Sequence, residues 1–158
     1  MIEKIVSGGQ TGADRAALDF AIAHGIAHGG WCPRGRLAED GVIGPQYNLT
    51  ETPLAETAQR TELNVRDSDA TVIFSIGRVL TGGSKFTAEC AARYNKPCLH
   101  VSKALDGEKA ATKLREFLER HPIKCLNVAG PRASNEPEVG SFVQAVLEAC
   151  LDLFKRQR

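Results

Sequence analysis

The sequence predicts an α/β fold: a Rossmann-like three-layer sandwich whose parallel sheet, of about five or more strands, carries helices on both faces. Three observations predict it. Short apolar runs alternate with helical patterns from end to end; residues 70–75 (ATVIFS) are apolar enough for a strand covered on both faces; and glycine-bearing turns follow three of the runs. In order, residues 2–6 (IEKIV) predict a strand that stops at Ser7-Gly8-Gly9, and the Ala, Leu, Ile and Phe of residues 12–24 predict a buried helix. A second strand is expected over 27–32, ending in Trp31, Cys32 and Pro33. After it a loop rich in Gly and Arg runs to Leu49, long enough to suggest function. Residues 55–68 read as a charged helix and 70–75 as the third strand. Helix 85–95, strand 97–101, helix 108–120, strand 124–129 and helix 138–154 complete the alternation, with Pro97 and Pro122 as punctuation before the last two strands. The expected strand order, 2-1-3-4-5, opens a ligand crevice at the carboxyl ends of strands one and three, where the winding direction reverses.

With 158 residues and 42% hydrophobic content, the chain suffices for one continuous core, so residues 1–158 are expected to form a single ligand-binding domain. Lys and Arg number 20 against 19 acidic residues, which leaves no global field to hold a polyanion. Neither nucleic acid nor an anionic membrane surface is an expected partner. No apolar run is long enough to span a bilayer, and the N-terminal residues MIEKIVSGG lack a signal core, so the expected location is cytoplasmic. Five cysteines without a C-x-x-C pair read as reduced, buried thiols. The four histidines show no ligand spacing within one helix, and no protein-ligated metal is predicted.

The first loop runs Ser7-Gly8-Gly9-Gln10-Thr11-Gly12-Ala13-Asp14-Arg15. Glycines after a strand let the backbone turn sharply and approach a ligand, and the following helix N-terminus offers unpaired N–H groups to an anion. Gly8, Gly9, Gln10, Thr11 and Gly12 are therefore candidate phosphate contacts. The spacing is neither G-x-G-x-x-G nor the Walker pattern, and no Lys follows Gly12, so neither a dinucleotide nor a triphosphate is indicated. On the competing reading the glycines only permit a turn, Thr11 caps the helix and Asp14 complements its dipole.

A second loop after the third strand repeats the logic with Gly82, Gly83, Ser84 and Thr87, and Glu89 in the helix beyond is a candidate acid or base. A third strand end, residues 129–134, adds Arg132 and Ser134 to the same rim, and capping of the last helix by Ser134 or Asn135 is the competing reading. Arg34 and Arg36 lie on the long loop, where either a clamp on an oxyanion or simple solvation accounts for them. Arg60, Glu62, Asn64 and Arg66 share one helix, but helical spacing cannot put all four on one face.

The segments SGGQTGADRAALDFAI, GGWCPRGRLAEDG, RTELNVRDSDATVIFS, LTGGSKFT and LNVAGPRAS, in this order over nearly the whole chain, resemble the molybdenum carrier family of the Rossmann-like SLOG proteins. The resemblance implies a homo-oligomer, dimer or tetramer, that binds a small anionic ligand: molybdate, the molybdenum cofactor or a nucleotide derivative as cargo. Relatives of that family, long called lysine decarboxylases, cleave cytokinin riboside monophosphates with an arginine before strand three and a P-G-G-x-G-T-x-x-E motif after it. On that resemblance Arg60 and Glu89 become the catalytic pair of a phosphoribohydrolase. The sequence departs from the motif, with Thr81 for the proline, Lys85 for the third glycine and Phe86 for the threonine. Lys85 and Phe86 are expected to crowd the phosphate turn. A carrier, with Arg34, Arg36 or Arg132 closing over the ligand, is thus the first reading, and a nucleoside-monophosphate hydrolase or a sensor of a nucleotide derivative the alternative.

Overall fold

The computed structural model describes residues 1–158. Its elements are β1 (Lys4–Val6), α1 (Ala13–Ala23), β2 (Ala27–Gly29), β3 (Trp31–Cys32), β4 (Leu37–Ala38), β5 (Gly41–Val42), β6 (Thr50–Glu51), α2 (Thr57–Arg66), β7 (Ala70–Ser75), α3 (Gly82–Arg93), β8 (Cys98–Ser102), α4 (Lys103–Asp106), a 3₁₀ turn (Gly107–Lys109), α5 (Ala110–Arg120), β9 (Cys125–Ala129) and α6 (Val139–Arg156). β2, β1, β9, β7 and β8 form one parallel sheet in that order. The fold class is the expected one. The last strand, however, lies at the centre, between β1 and β7, and not at the edge that the order 2-1-3-4-5 gives it.

Period-2 alternation survives inside the fully buried β7 and sorts its side chains between two cores. Ala70, Val72 and Phe74 join Ile5, Leu126 and Val128 against α1, α5 and α6, where Leu114, Val139 and Val143 are also buried. Phe74 meets Phe142 edge-on, ring centroids 5.9 Å apart. The opposite sheet face is covered by α2 and α3, which pack on each other and bury Val65, Cys90 and Ala91. Small residues at the buried positions of α1 (Ala13, Ala16, Ala17, Ala21) let that helix lie close to the sheet.

The expected strand 27–32 is broken at Gly30. Its φ is +122°, and a Cβ there would fall 2.3 Å from the Ser7 carbonyl oxygen and 2.9 Å from Asn64 Oδ1. The chain therefore leaves the main sheet, and Trp31–Cys32 pairs instead with Thr50–Glu51 in a separate two-stranded parallel ribbon. Asn64 fixes this excursion, accepting from the Trp31 amide at 2.7 Å and donating to the Trp31 carbonyl at 2.9 Å. Between these strands, β4 and β5 form a short antiparallel hairpin. No helix is long and apolar enough to cross a membrane.

Candidate functional site

Because the sheet is parallel, β1, β9 and β7 release their following loops at one edge. The loops 7–12, 130–138 and 76–81 surround a cavity of about 140 Å³ there, with α2 closing one side. Of the residues lining it only two are hydrophobic. The winding reverses between β9 and β7, so the crevice stands at the switch point, one strand away from the expected β1 position.

α2 presents Arg60, Thr61 and Asn64 to the cavity, positions i, i+1 and i+4 on one side of the helix. Glu62 turns away to accept from the Tyr94 hydroxyl at 2.9 Å, and Arg66 pairs with Asp67 at 2.7 Å. The Arg60 guanidinium donates to the Gly8 carbonyl at 3.0 Å and lies 3.7 Å from Asp14 Oδ2. A Cβ on Gly8 would overlap this guanidinium at 2.5 Å, so the glycine is what admits the arginine. Asp14, 6% exposed, accepts from the Gln10 amide at 3.3 Å and lines the cavity. Burial pushes its carboxyl above the ordinary value, against the opposing pull of Arg60, the Gln10 amide and Arg15.

The first loop does not form the open amide cradle expected of it. The Gly9 amide is bound by Ser7 Oγ, the Gln10 amide by Asp14 and the Thr11 amide by the Gln10 side chain. Gly8 and Gln10 line the cavity, whereas Gly9, Thr11 and Gly12 do not. Gly9 offers its carbonyl to Arg15. Gly12, at φ +80°, allows loop 130–138 to approach, since a Cβ on it would lie 2.6 Å from the Pro131 oxygen. Thr11 belongs to a latch: its hydroxyl donates to Glu39 and accepts from the Ala133 amide at 3.1 Å, and Glu39 also accepts from the Ser134 hydroxyl at 2.5 Å. The Ser134 and Thr11 hydroxyls hold the Glu39 carboxyl below its ordinary value. Thr11 therefore ties the strap 37–42 to the rim, and it does not cap α1, whose N-cap is Gly12.

The second loop is the open one. Thr81 precedes α3, the Ser84 and Lys85 amides bond back to the Thr81 carbonyl at 3.2 and 3.3 Å, and the amides of Gly82 and Gly83 are left without a partner in the chain. Gly82, Gly83, Ser84 and Thr87 all line the cavity. Lys85 and Phe86 do not crowd it: Lys85 is exposed, and Phe86 packs beside Val65, Cys90 and Ala91, with Arg93 5.9 Å from its ring. Glu89 is exposed on the outer side of α3 and does not line the cavity.

The third loop contributes an exposed Arg132 together with Asn135. Glu136 locks it to the second loop by accepting from the Ile76 amide at 2.6 Å. Of the two loop arginines, Arg34 is exposed and away from the cavity. The Arg36 guanidinium is occupied by the carbonyls of Gly44 and Tyr47, both at 2.9 Å, and of Leu49 at 3.3 Å. Neither closes over the site. Asn127 and Asp14 are among the lining groups that escaped sequence reasoning in this role. Asn127, the carboxamide inside the apolar run LNVA, bonds Thr71 Oγ1 at 3.2 Å on the α2–α3 face, and a lone amide in a doubly covered strand was the available signal. Asp14 was legible only as a dipole complement.

The model of the circularly permutated YpsA SLOG family matches residues 5–151 of the chain. Among solved structures, the chain is similar to the crystal structure named "Putative molybdenum carrier protein" from Syntrophus aciditrophicus SB, with 51% sequence identity, 95% of each chain covered and a TM-score of 0.93. None of the curated proteins matches.

Proposed function

This chain belongs to the circularly permutated YpsA SLOG family, and from that membership and the chemistry of the cavity we propose that it is a binding or carrier protein for a small oxyanionic or phosphate-bearing ligand. The observation that supports this reading most is the pairing, across one polar cavity, of the Arg60 guanidinium with the unpartnered amides of Gly82 and Gly83 at the start of α3. A cation and a helix N-terminus converging on one small volume suit an anion. At about 140 Å³ the cavity is below the roughly 300–1,000 Å³ of sites that enclose drug-sized ligands, so it takes an oxyanion or one phosphate head and leaves any larger group outside, beside the exposed Arg132. The name of the structural neighbour suggests molybdenum as the cargo. Molybdate would sit wholly within the cavity, whereas the molybdenum cofactor would enter by its phosphate. The hydrolase alternative asks Glu89 to work at a sugar bond, and the outward position of Glu89 weighs against it.

The test is isothermal titration with inorganic phosphate and with molybdate, comparing the native chain with Arg60→Met and Gly83→Val. Gly83 has open space where a Cβ would go, so valine there leaves the fold intact while obstructing the amides. Arg60→Met is expected to weaken binding about ten- to a hundredfold, the value of a charge-assisted hydrogen bond. Unchanged affinity in both variants overturns the assignment.

A further inference from the structure

The cavity that holds Arg60 also holds a carboxylate, and an anion site has no electrostatic use for one. Asp14 is nearly buried, lines the same wall, and its carboxylate is reached by two backbone amides, that of Gln10 at 3.3 Å and that of Gly8. Arg60 Nη1 stands 3.7 Å from Oδ2, beyond hydrogen-bond distance, because the guanidinium is directed at the Gly8 carbonyl. A carboxylate has about four lone-pair sites and, when ionised, no proton to give. Its unused acceptor capacity therefore remains beside the space where an oxyanion would sit. Two acceptors facing each other in a desolvated site repel, unless one proton lies between them.

We propose that Asp14 makes the cavity selective for oxyanions that bring their own proton: a protonated phosphate group donates its O–H to Asp14, while a tetrahedral dianion without a proton, such as sulfate or molybdate, has nothing to donate. This rests on the oxyanion reading above and narrows it to phosphate-bearing ligands. The charged groups around Asp14 are Arg60 from α2, Arg15 from its own helix and, at the exposed rim of the cavity, Arg132 of loop 130–138, whereas Asn127 on β9 and Ser84 and Thr87 on α3 are neutral. Burial raises the Asp14 carboxyl, so a dianion can still be admitted if the site takes a proton from solvent. The proton balance is then the signature. Hydrogen phosphate binds with its own O–H···O bond to the carboxylate and no net uptake, whereas sulfate or molybdate binds with uptake of one proton, which ends on Asp14.

Titration of the full chain at mildly alkaline pH with phosphate, sulfate and molybdate, repeated in buffers of different ionisation enthalpy, reads both quantities. Phosphate is expected to bind about ten- to a hundredfold more tightly than either dianion, with proton uptake for the dianions only. Asp14→Asn replaces the acceptor with a group that also donates, and is expected to bring sulfate and molybdate to within about threefold of phosphate. Equal affinities without proton uptake in the native chain overturn the role of Asp14 and leave the oxyanion site standing; this outcome needs no variant. Absence of binding by all three anions overturns the oxyanion site itself, and this inference with it.

Discussion

Ser84 and Glu89 are five residues apart on α3, which places them about 140° apart around the helix axis. Ser84, Thr87, Cys90 and Ala91 are the buried side of that helix, and Glu89 lies opposite the middle of that arc, so it is carried to solvent by geometry alone. Arg60 is the opposite case: one turn before Asn64, it shares the side of α2 that Asn64 commits to Trp31, and its guanidinium is delivered to the cavity. The spacing of a motif along the sequence reports the first arrangement as readily as the second. Glu89→Gln is therefore expected to leave phosphate affinity within about twofold and the melting temperature within a degree or so, as for an exposed position away from any network. Titration calorimetry checks it, and a tenfold loss would return Glu89 to the site.

At the scale of elements, the segment between β2 and α2 gives one arginine a structural role away from the cavity. Residues 37–51 contain only three two-residue strands, too few hydrogen bonds to hold their own carbonyls. Arg36, itself at φ +54°, answers this by donating to carbonyls of residues 44, 47 and 49. Arg15 pins the hairpin turn through Asp40 at 2.9 Å, and Glu39 then reaches the rim. Arg36→Met keeps the apolar stem and removes the donors; the cost is expected to be about 2–3 kcal/mol, lowering the melting temperature by roughly 5–10 °C, while the protein that remains folded binds phosphate as before. Scanning calorimetry with parallel titration checks both parts, and a selective loss of affinity would make Arg36 a ligand clamp after all. The sequence was legible where periodicity operates: the boundaries of α1, β7, α5 and α6 fall within a few residues of those expected. It was not legible over 31–51, because two-residue strands carry no period. Nor could it tell which loop amides are used internally, since that depends on the side chains of Ser7, Gln10 and Asp14 folding back on their own loop.

The strand order was hidden for a different reason. Runs such as ATVIFS and LNVA are mostly apolar and buried on both faces, so either can fill a central position, and position in the sequence is no guide to position in the sheet. Counting the strands from β9 through β1, β2, β7 and β8 turns the observed arrangement into 3-2-1-4-5, the doubly wound Rossmann order. The loop after β9, carrying Gly130 and Arg132, then takes the place of the first strand-to-helix loop, and the cavity falls between β9 and β7 as that order requires. Met1 and Arg158 are neighbours, with Arg158 Nη2 3.5 Å from the Met1 sulfur, so the order of connection can be changed without moving an element. A chain cut between His121 and Pro122, with residues 158 and 1 joined by a short Gly/Ser linker, is expected to fold cooperatively and retain phosphate binding, because every strand keeps its partners. The fragment 1–121, with its ends unaltered, lacks β9 and leaves the β2-β1 and β7-β8 pairs with no strand between them. It is expected to show no cooperative melting transition by circular dichroism, since two isolated strand pairs cannot bury both faces. A cooperative transition in the fragment would mean that the halves of the sheet are independent folding units; an unfolded permutant would mean that the order of connection, and not only the packing it produces, is needed to reach this fold.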